Sequence, residues 1–303
     1  MRRFILLFVL FFVVGGPVLF SQTAHYKIKR SHTFYVPEEA EETSGLFFWD
    51  GDLFTFNDSG GKSMLYVLDT MGGEIKKRIP VSYAINRDWE AATIDNGKLF
   101  IGDFGNNSSQ RKDLTIYIAN LNKLDEKVTV VDSIRFSYPD QTNFEKQKRN
   151  HDFDCEAMVV FNDTVYLYSK GWLDGITKIR TIPAVPGEYT AKEINRFEAG
   201  GLITDATYDA EKKMLVLIGY NIETPVMQPF LWLFNTSHPG RIKASRGTKI
   251  ILEPAYSQIE GVSFFPQGRL VVTAEGLNNK WIDIAPALFK ISLDVLKEKA
   301  NGN

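Results

Sequence analysis

The chain has 303 residues, of which 44% are apolar and 24% charged, with a formal net charge of −2. That near balance excludes the broad basic field that nucleic acid or an anionic membrane surface would require. A single cysteine, Cys155, excludes an intramolecular disulfide, so the fold must rest on its own apolar core.

Met1-Arg2-Arg3 opens the chain and leads into an apolar run from Phe4 to Phe20, closed by Ser21-Gln22. A charged start, an apolar middle and a small residue at the end are the parts of a signal peptide over residues 1–21. The competing reading is an uncleaved anchor, because a run of 17 residues is close to the shortest that crosses a bilayer. The mature protein is therefore expected outside the cytoplasm, secreted or periplasmic in the cell envelope, with no stable membrane span after cleavage.

Behind this segment, stretches rich in Val, Ile, Phe, Tyr and Leu alternate with Gly, Asn, Asp and Ser clusters, the pattern of an all-β protein. The exception is the tail around Leu293 to Lys299, which reads as a short helical end. The strands recur in five units. Each opens on an oxygen-bearing residue followed by a small one: Ser44-Gly45, Glu90-Ala91, Glu156-Ala157, Asp205-Ala206 and Glu260-Gly261. A strand, a polar turn, a second strand, a polar loop and a third strand follow each opening. The loops begin 13 to 15 positions after it.

Units of roughly 45 to 65 residues with four strands each match propeller blades. The expected fold is thus an all-β, five-bladed β-propeller of four-stranded blades in one domain over residues 22–299. The blades fall near residues 42–86, 87–151, 152–201, 202–255 and 256–299. The last unit runs out of chain after its third strand, and Tyr26 to Val36 is free to complete it. Pairing the N-terminal strand with the C-terminal blade closes the ring and leaves no open sheet edge. The polar run Asp140 to Asn150 reads as an insertion on one face of the disc.

In such a ring the first strand of each blade lines the channel, and the loop after the second strand returns to the same end. The offset equals one strand out, a turn and one strand back at about 3.3 Å per residue. Ser44, Glu90, Glu156, Asp205 and Glu260 are therefore expected to converge. Four carboxylates at close range repel one another and resist desolvation. Calcium, which takes six to eight oxygen ligands, would neutralise them, whereas zinc would seek the His or Cys that the ring lacks. The alternative is that each acid bonds neighbouring backbone N–H groups and no metal binds. His25, His32, His151 and His238 are scattered and read as ordinary surface or turn residues.

The openings Ser44-Gly45-Leu46, Asp88-Trp89-Glu90-Ala91, Asp154-Cys155-Glu156-Ala157 and Gln258-Ile259-Glu260-Gly261 resemble the blade signatures of the SdiA-regulated protein family. That resemblance implies a five-bladed propeller with calcium in its channel. The pattern is also similar to the calcium-activated apyrases, which hydrolyse nucleoside diphosphates. The run Gly102 to Asn107 resembles secreted bacterial propellers. Asp205 stands where these families usually carry Ser, which raises the charge of the expected ring.

The functional expectation is a binding module for a small molecule, glycan or envelope protein, acting as a monomer, with its site on the face that bears the acidic ring. Asp58, Arg87, Asp103, Asn107, Lys170, Trp172, Tyr220, Asn221 and Glu275 are the candidate ligand residues, with Trp281 as a further aromatic. The alternative is a calcium-dependent hydrolase of a phosphate or other ester. No nucleophile with an adjacent His base stands out, so the sequence leaves open whether the protein is an enzyme.

Overall fold

A computed structural model describes residues 22–300 apart from 72, 122–126, 223–226, 254–257 and 279–282. The expected signal segment, residues 1–21, and Trp281 lie outside the described residues. Among the described residues, no helix is long and apolar enough to cross a membrane.

Two strands, β1 (Gln22–Lys27) and β2 (Thr33–Tyr35), precede a series of antiparallel meanders. The first contains β3 (Thr43–Trp49), β4 (Asp52–Asn57), β5 (Met64–Leu68) and β6 (Ile75–Ser82). The second contains β7 (Trp89–Asp95), β8 (Lys98–Asp103), β9 (Leu114–Asn120) and β10 (Val128–Ser137). The third is built from β11 (Cys155–Phe161), β12 (Thr164–Ser169) and β13 (Ile176–Pro183); the short β14 (Gly187–Thr190) then pairs parallel to β10, and β15 (Lys192–Glu198) completes the third meander. The fourth runs through β16 (Leu202–Asp209), β17 (Met214–Asn221), β18 (Gln228–Asn235) and β19 (Gly247–Glu253).

The last meander has β20 (Ile259–Phe265) and β21 (Arg269–Ala274). The two-residue strands β22 (Leu277–Asn278) and β23 (Asp283–Ile284) pair with each other before β24 (Ala287–Ser292). The one α-helix among the described residues, α1 (Leu293–Ala300), ends the described chain and buries Leu293 and Leu296.

Turn chemistry sets the opening hairpin of each of the first three meanders. Trp49 pairs with Asp52, Asp95 with Lys98 and Phe161 with Thr164, so each loop has two residues. Asp50-Gly51, Asn96-Gly97 and Asn162-Asp163 all have positive φ, which the twist of a two-residue hairpin demands and which Gly, Asn and Asp tolerate.

β2 lies antiparallel to β24, with Phe34 opposite Leu288, and gives the C-terminal sheet its fourth strand. The segment expected as one strand, Tyr26 to Val36, is broken in two. Its earlier part belongs to β1, which lies parallel on β19 with Tyr26 opposite Leu252. The break lets Tyr26 and Ile28 enter the core between the fourth and last meanders, while Phe34 and Val36 pack with the last and the first.

Five apolar clusters hold the molecule, and each is shared by two neighbouring meanders: first with second, second with third, third with fourth, fourth with last, and last with first. The leading strands β3, β7, β11, β16 and β20 neighbour one another in the same cyclic order. The architecture is all-β and propeller-like, and its centre is lined by those leading strands.

Candidate functional site

Each leading strand carries a β-bulge near its start. Register shifts between Ser44 and Leu46, Trp89 and Ala91, Cys155 and Ala157, Ile203 and Asp205, and Ile259 and Gly261. In four strands the unpaired residue is Glu90, Glu156, Thr204 or Glu260. An unpaired bulge residue is freed from the pleat's alternation and its side chain is re-aimed. In β3 the unpaired residue is Gly45, and the neighbouring Ser44 hydroxyl donates to the Glu90 carbonyl at 2.9 Å.

Ser44 and the bulge glutamates Glu90, Glu156 and Glu260 open on a cavity of about 230 Å³ that Asp58 and Glu275 also line. Lys170 is buried in it, with Nζ 3.0 Å from Glu156 Oε1. The same ammonium lies 5.2 Å from the centre of the Trp172 ring and 5.8 Å from that of Tyr220, over the faces that attract cations. Burial alone would lower Lys170; the charges of Glu156, Tyr220 and Glu260 outweigh it and hold the ammonium well above its usual range.

Burial raises the acids that line the cavity and the adjoining Asp88. Glu260 is pushed up to about 7, and so is Asp88, which desolvation and Asp154 raise together. Glu90, Glu156 and Glu275 stand well above the usual carboxylate range, again through burial first and neighbouring acids second, although at Glu156 Lys170 pulls back against the rise. Glu260 and Asp88 therefore titrate near neutral pH.

Asp58, Asn107, Lys170, Trp172, Tyr220 and Glu275 line this cavity together with Ser44, Glu90, Glu156 and Glu260. Asp205 does not line it. Its Oδ1 accepts from Ala206 N at 2.8 Å and its Oδ2 from Val262 N at 2.7 Å, which ties β16 to β20. Thr204, one position before Asp205, occupies the bulge of β16 and donates to the Ile259 carbonyl at 2.5 Å, and it does not line the cavity either. A one-residue slip along a strand turns a side chain to the other face.

Asp103 and Arg87 lie away from the cavity, in a separate cleft. Asp103 is buried, accepts from Asp88 N at 2.9 Å and pairs with Arg111 at 3.1 Å. Arg87 pairs with Asp113 at 3.0 Å. Asn221 ends β17 opposite Gln228, outside the cavity lining.

Sequence reasoning passed over a second tier of residues. Asp88, Asp154 and Gln258 each stand two positions before a ring glutamate, immediately ahead of the leading strands β7, β11 and β20. Asp154 accepts from Asn106 N and from Trp172 Nε1, both at 2.7 Å, and so sets the aromatic wall. Gln258 accepts from the Tyr220 hydroxyl at 3.2 Å and donates to Glu275. The insertion of residues 140–150 adds Lys148 and Arg149 to the rim, with the Arg149 guanidinium 4.8 Å over the Trp172 ring. It is held by Arg180 on Asp140 at 3.2 Å and by Gln141 on the Ser109 carbonyl at 2.9 Å.

The donor set suits a hard cation in kind, being hydroxyl and carboxyl oxygen. Among the described residues, however, no group of three or more His, Cys, Asp or Glu side chains is already arranged to hold a metal. A lysine supplies part of the countercharge. Cys155 is buried, its thiol directed at the Ala157 and Tyr168 carbonyls and pushed up by desolvation, which makes it a packing residue.

Fold and site together define a propeller-like β protein with an acidic, lysine-bearing cavity at its centre. No protein-family model matches the chain, so the SdiA-regulated resemblance gains no support. No curated protein sequence matches it either. Among solved structures, glutaminyl cyclase from Myxococcus xanthus is similar at a TM-score of 0.50 and 11% identity, over 89% of this chain and 96% of that one. The PQQ-bound aldose sugar dehydrogenase of Streptomyces coelicolor reaches 0.47 at 10% identity, over 87% and 97%. Exo-beta-1,3-galactanase from Phanerochaete chrysosporium reaches 0.49 at 13%, over 82% and 59%. At such identities likeness speaks for the fold alone, and function has to be argued from the site.

Proposed function

We propose that the protein is a five-bladed β-propeller acting outside the cytoplasm as a binding module, whose central cavity takes a cation or a small cation-bearing ligand. The five-blade reading is supported by the cyclic sharing of apolar clusters between meanders and by the five leading strands at the centre. Export is supported by the charged and apolar pattern of residues 1–21.

The observation that carries the binding reading is the charge imbalance of the cavity. Asp58, Glu90, Glu156, Glu260 and Glu275 face one buried lysine, Lys170, with Lys148 and Arg149 on the exposed rim. Calcium is the ion that the oxygen donors favour, held through Ser44, Glu90 and Glu260 and supplying the missing positive charge. Trp172 and Tyr220 would flank an organic ligand.

The test is a calcium titration of the mature chain after EDTA treatment, read by thermal unfolding and calorimetry. A rise in midpoint that Glu90→Gln removes supports the reading; no response to calcium, magnesium or EDTA refutes a metal in the cavity. An organic cation then remains to be screened. Turnover of ADP, phytate or simple esters that Glu90→Gln abolishes would replace binding by catalysis.

A further inference from the structure

At the opposite end of β12 from Lys170 lies another cleft, of about 600 Å³. Thr164, at its edge, and Lys170 are six positions apart, which along a strand is about 20 Å. The cleft is separate from the central cavity, and the two share no lining residue.

One wall is the third meander, through Thr164, Tyr166, Thr181, Ile194 and Asn195; the other is the connector from β18 to β19, residues 236–246. The connector carries Arg241, Lys243 and Arg246 and no acid. All three cations are exposed, and among the described residues none pairs with a carboxylate. In a chain of net charge −2, three unpaired cations within six positions form a local basic patch.

Side chains clamp the connector. Asn195 Nδ2 donates to the Gly240 carbonyl at 3.1 Å and to the Ile242 carbonyl at 2.8 Å. The Tyr168 hydroxyl donates to the Pro239 carbonyl at 3.1 Å, and the Thr236 hydroxyl to the His238 carbonyl at 2.9 Å. A Cβ on Gly240 would fall 2.5 Å from Ile194 Cδ1 and 2.8 Å from Tyr166 Cε1, so only glycine lets the connector lie this close to the wall. A wall fixed in this way presents its cations in a set arrangement, which lowers the ordering cost of binding.

His238 also lines the cleft. Its ring packs edge-on to Tyr166 with centroids 5.4 Å apart, and its Nδ1 is buried with no hydrogen-bond partner among the described residues. Burial and the Arg241 charge hold the imidazole below its usual value, so it is neutral near pH 7. The imidazole and the tyrosine ring, set at 83° to each other, offer ring surface beside the three cations.

We propose that this cleft is a binding site for a small molecule that joins a tetrahedral oxyanion, a phosphate or sulfate ester, to a ring. Arg241 and Arg246 supply the forked donors that such a group accepts and Lys243 a point charge, while Tyr166, His238 and Ile194 receive the ring. The site stands independently of the central cavity.

Calorimetric titration of the full mature chain with phenyl phosphate and phenyl sulfate, with phenol as the uncharged control, tests it. Binding of one or both esters without binding of phenol is expected, and the tighter ester identifies the preferred group. The exposed double change Arg241→Gln with Arg246→Gln should weaken binding by about tenfold or more, and raised salt should weaken it as well. Glu90→Gln, in the other cavity, should leave it unchanged. Absence of binding by both esters, equal binding of phenol, or unchanged affinity in the double variant overturns the proposal. Circular dichroism of the variant separates lost binding from lost fold.

Discussion

Lys170 Nζ stands 3.0 Å from Glu156 Oε1 in a cavity that also buries Glu90, Glu260 and the Tyr220 phenol. The lysine follows the last residue of β12, and the glutamate sits in the bulge that opens β11, so the pair ties two adjacent strands of one meander. Removing one partner of a buried pair strands the other's charge. Lys170→Met should therefore lower the free energy of unfolding by about 3 kcal/mol. Adding Glu156→Gln to it should recover more than half of that loss, because the stranded charge goes too. Urea unfolding of the two single variants and the double variant measures the coupling. Losses that simply add would show that the pair contributes nothing as a pair.

Acids whose pKa is raised by folding make the folded state bind more protons than the unfolded chain. Glu260 and Asp88 rise to about 7 from ordinary values of 4.5 and 3.8, and Glu90, Glu156 and Glu275 rise in the same direction. Their contribution is complete below the unfolded values and is lost as pH rises through the folded ones. In EDTA the thermal midpoint should fall between about pH 5 and pH 7.5. Glu39 and Asp113 shift the opposite way at exposed positions where solvent screens the effect, and the half-buried Asp209 shifts that way beside Lys212. Glu260→Gln should flatten the fall, and added calcium should reduce it by occupying the same cavity. A midpoint that climbs over this window would contradict the burial of the cluster.

Much of the fold was legible because its signals are local. Asp50-Gly51 and Asn96-Gly97 dictate tight hairpins from two residues each, and alternating apolar strands between such turns show their period directly. Ser44, Glu90, Glu156 and Glu260 were legible as cavity residues because each precedes a small residue at the start of a strand. The fourth unit misled for the same reason. Asp205-Ala206 imitates the Glu-Ala pairs, yet the bulge falls on Thr204, and bulge placement depends on the partner strand rather than on the pair itself. Lys148 and Arg149 reach the cavity only through the docking of residues 140–150, a long-range contact that no local pattern encodes.

Asp205 offers a test of that register. Its carboxyl oxygens hold the Ala206 and Val262 amides in a fully buried site. Asp205→Ala leaves two buried donors without acceptors and should cost about 3 kcal/mol. Asp205→Asn keeps one acceptor and should cost less. At concentrations where the variant is folded, its affinity for calcium should equal that of the wild type, whereas Glu260→Gln should weaken it. A loss of calcium affinity in Asp205→Asn as large as that in Glu260→Gln would return Asp205 to the ring.

Two glycines of the first meander separate backbone strain from crowding. Gly45 has φ +44°, and a Cβ there would overlap the Phe56 ring; Gly51 has φ +88°, and a Cβ added there meets nothing within 4 Å. Gly51→Ala meets only the left-handed backbone and should cost about 1 kcal/mol. Gly45→Ala adds overpacking against Phe56, whose ring lies edge-on to Trp89 with centroids 5.4 Å apart, and should cost about 3 kcal/mol. The difference measures how rigidly the first and second meanders grip the bulge that places Ser44. Tryptophan fluorescence in urea follows both unfolding and the Trp89 environment. Equal costs at the two glycines would mean that Phe56 moves aside freely, and that the bulge of β3 is set by the backbone alone.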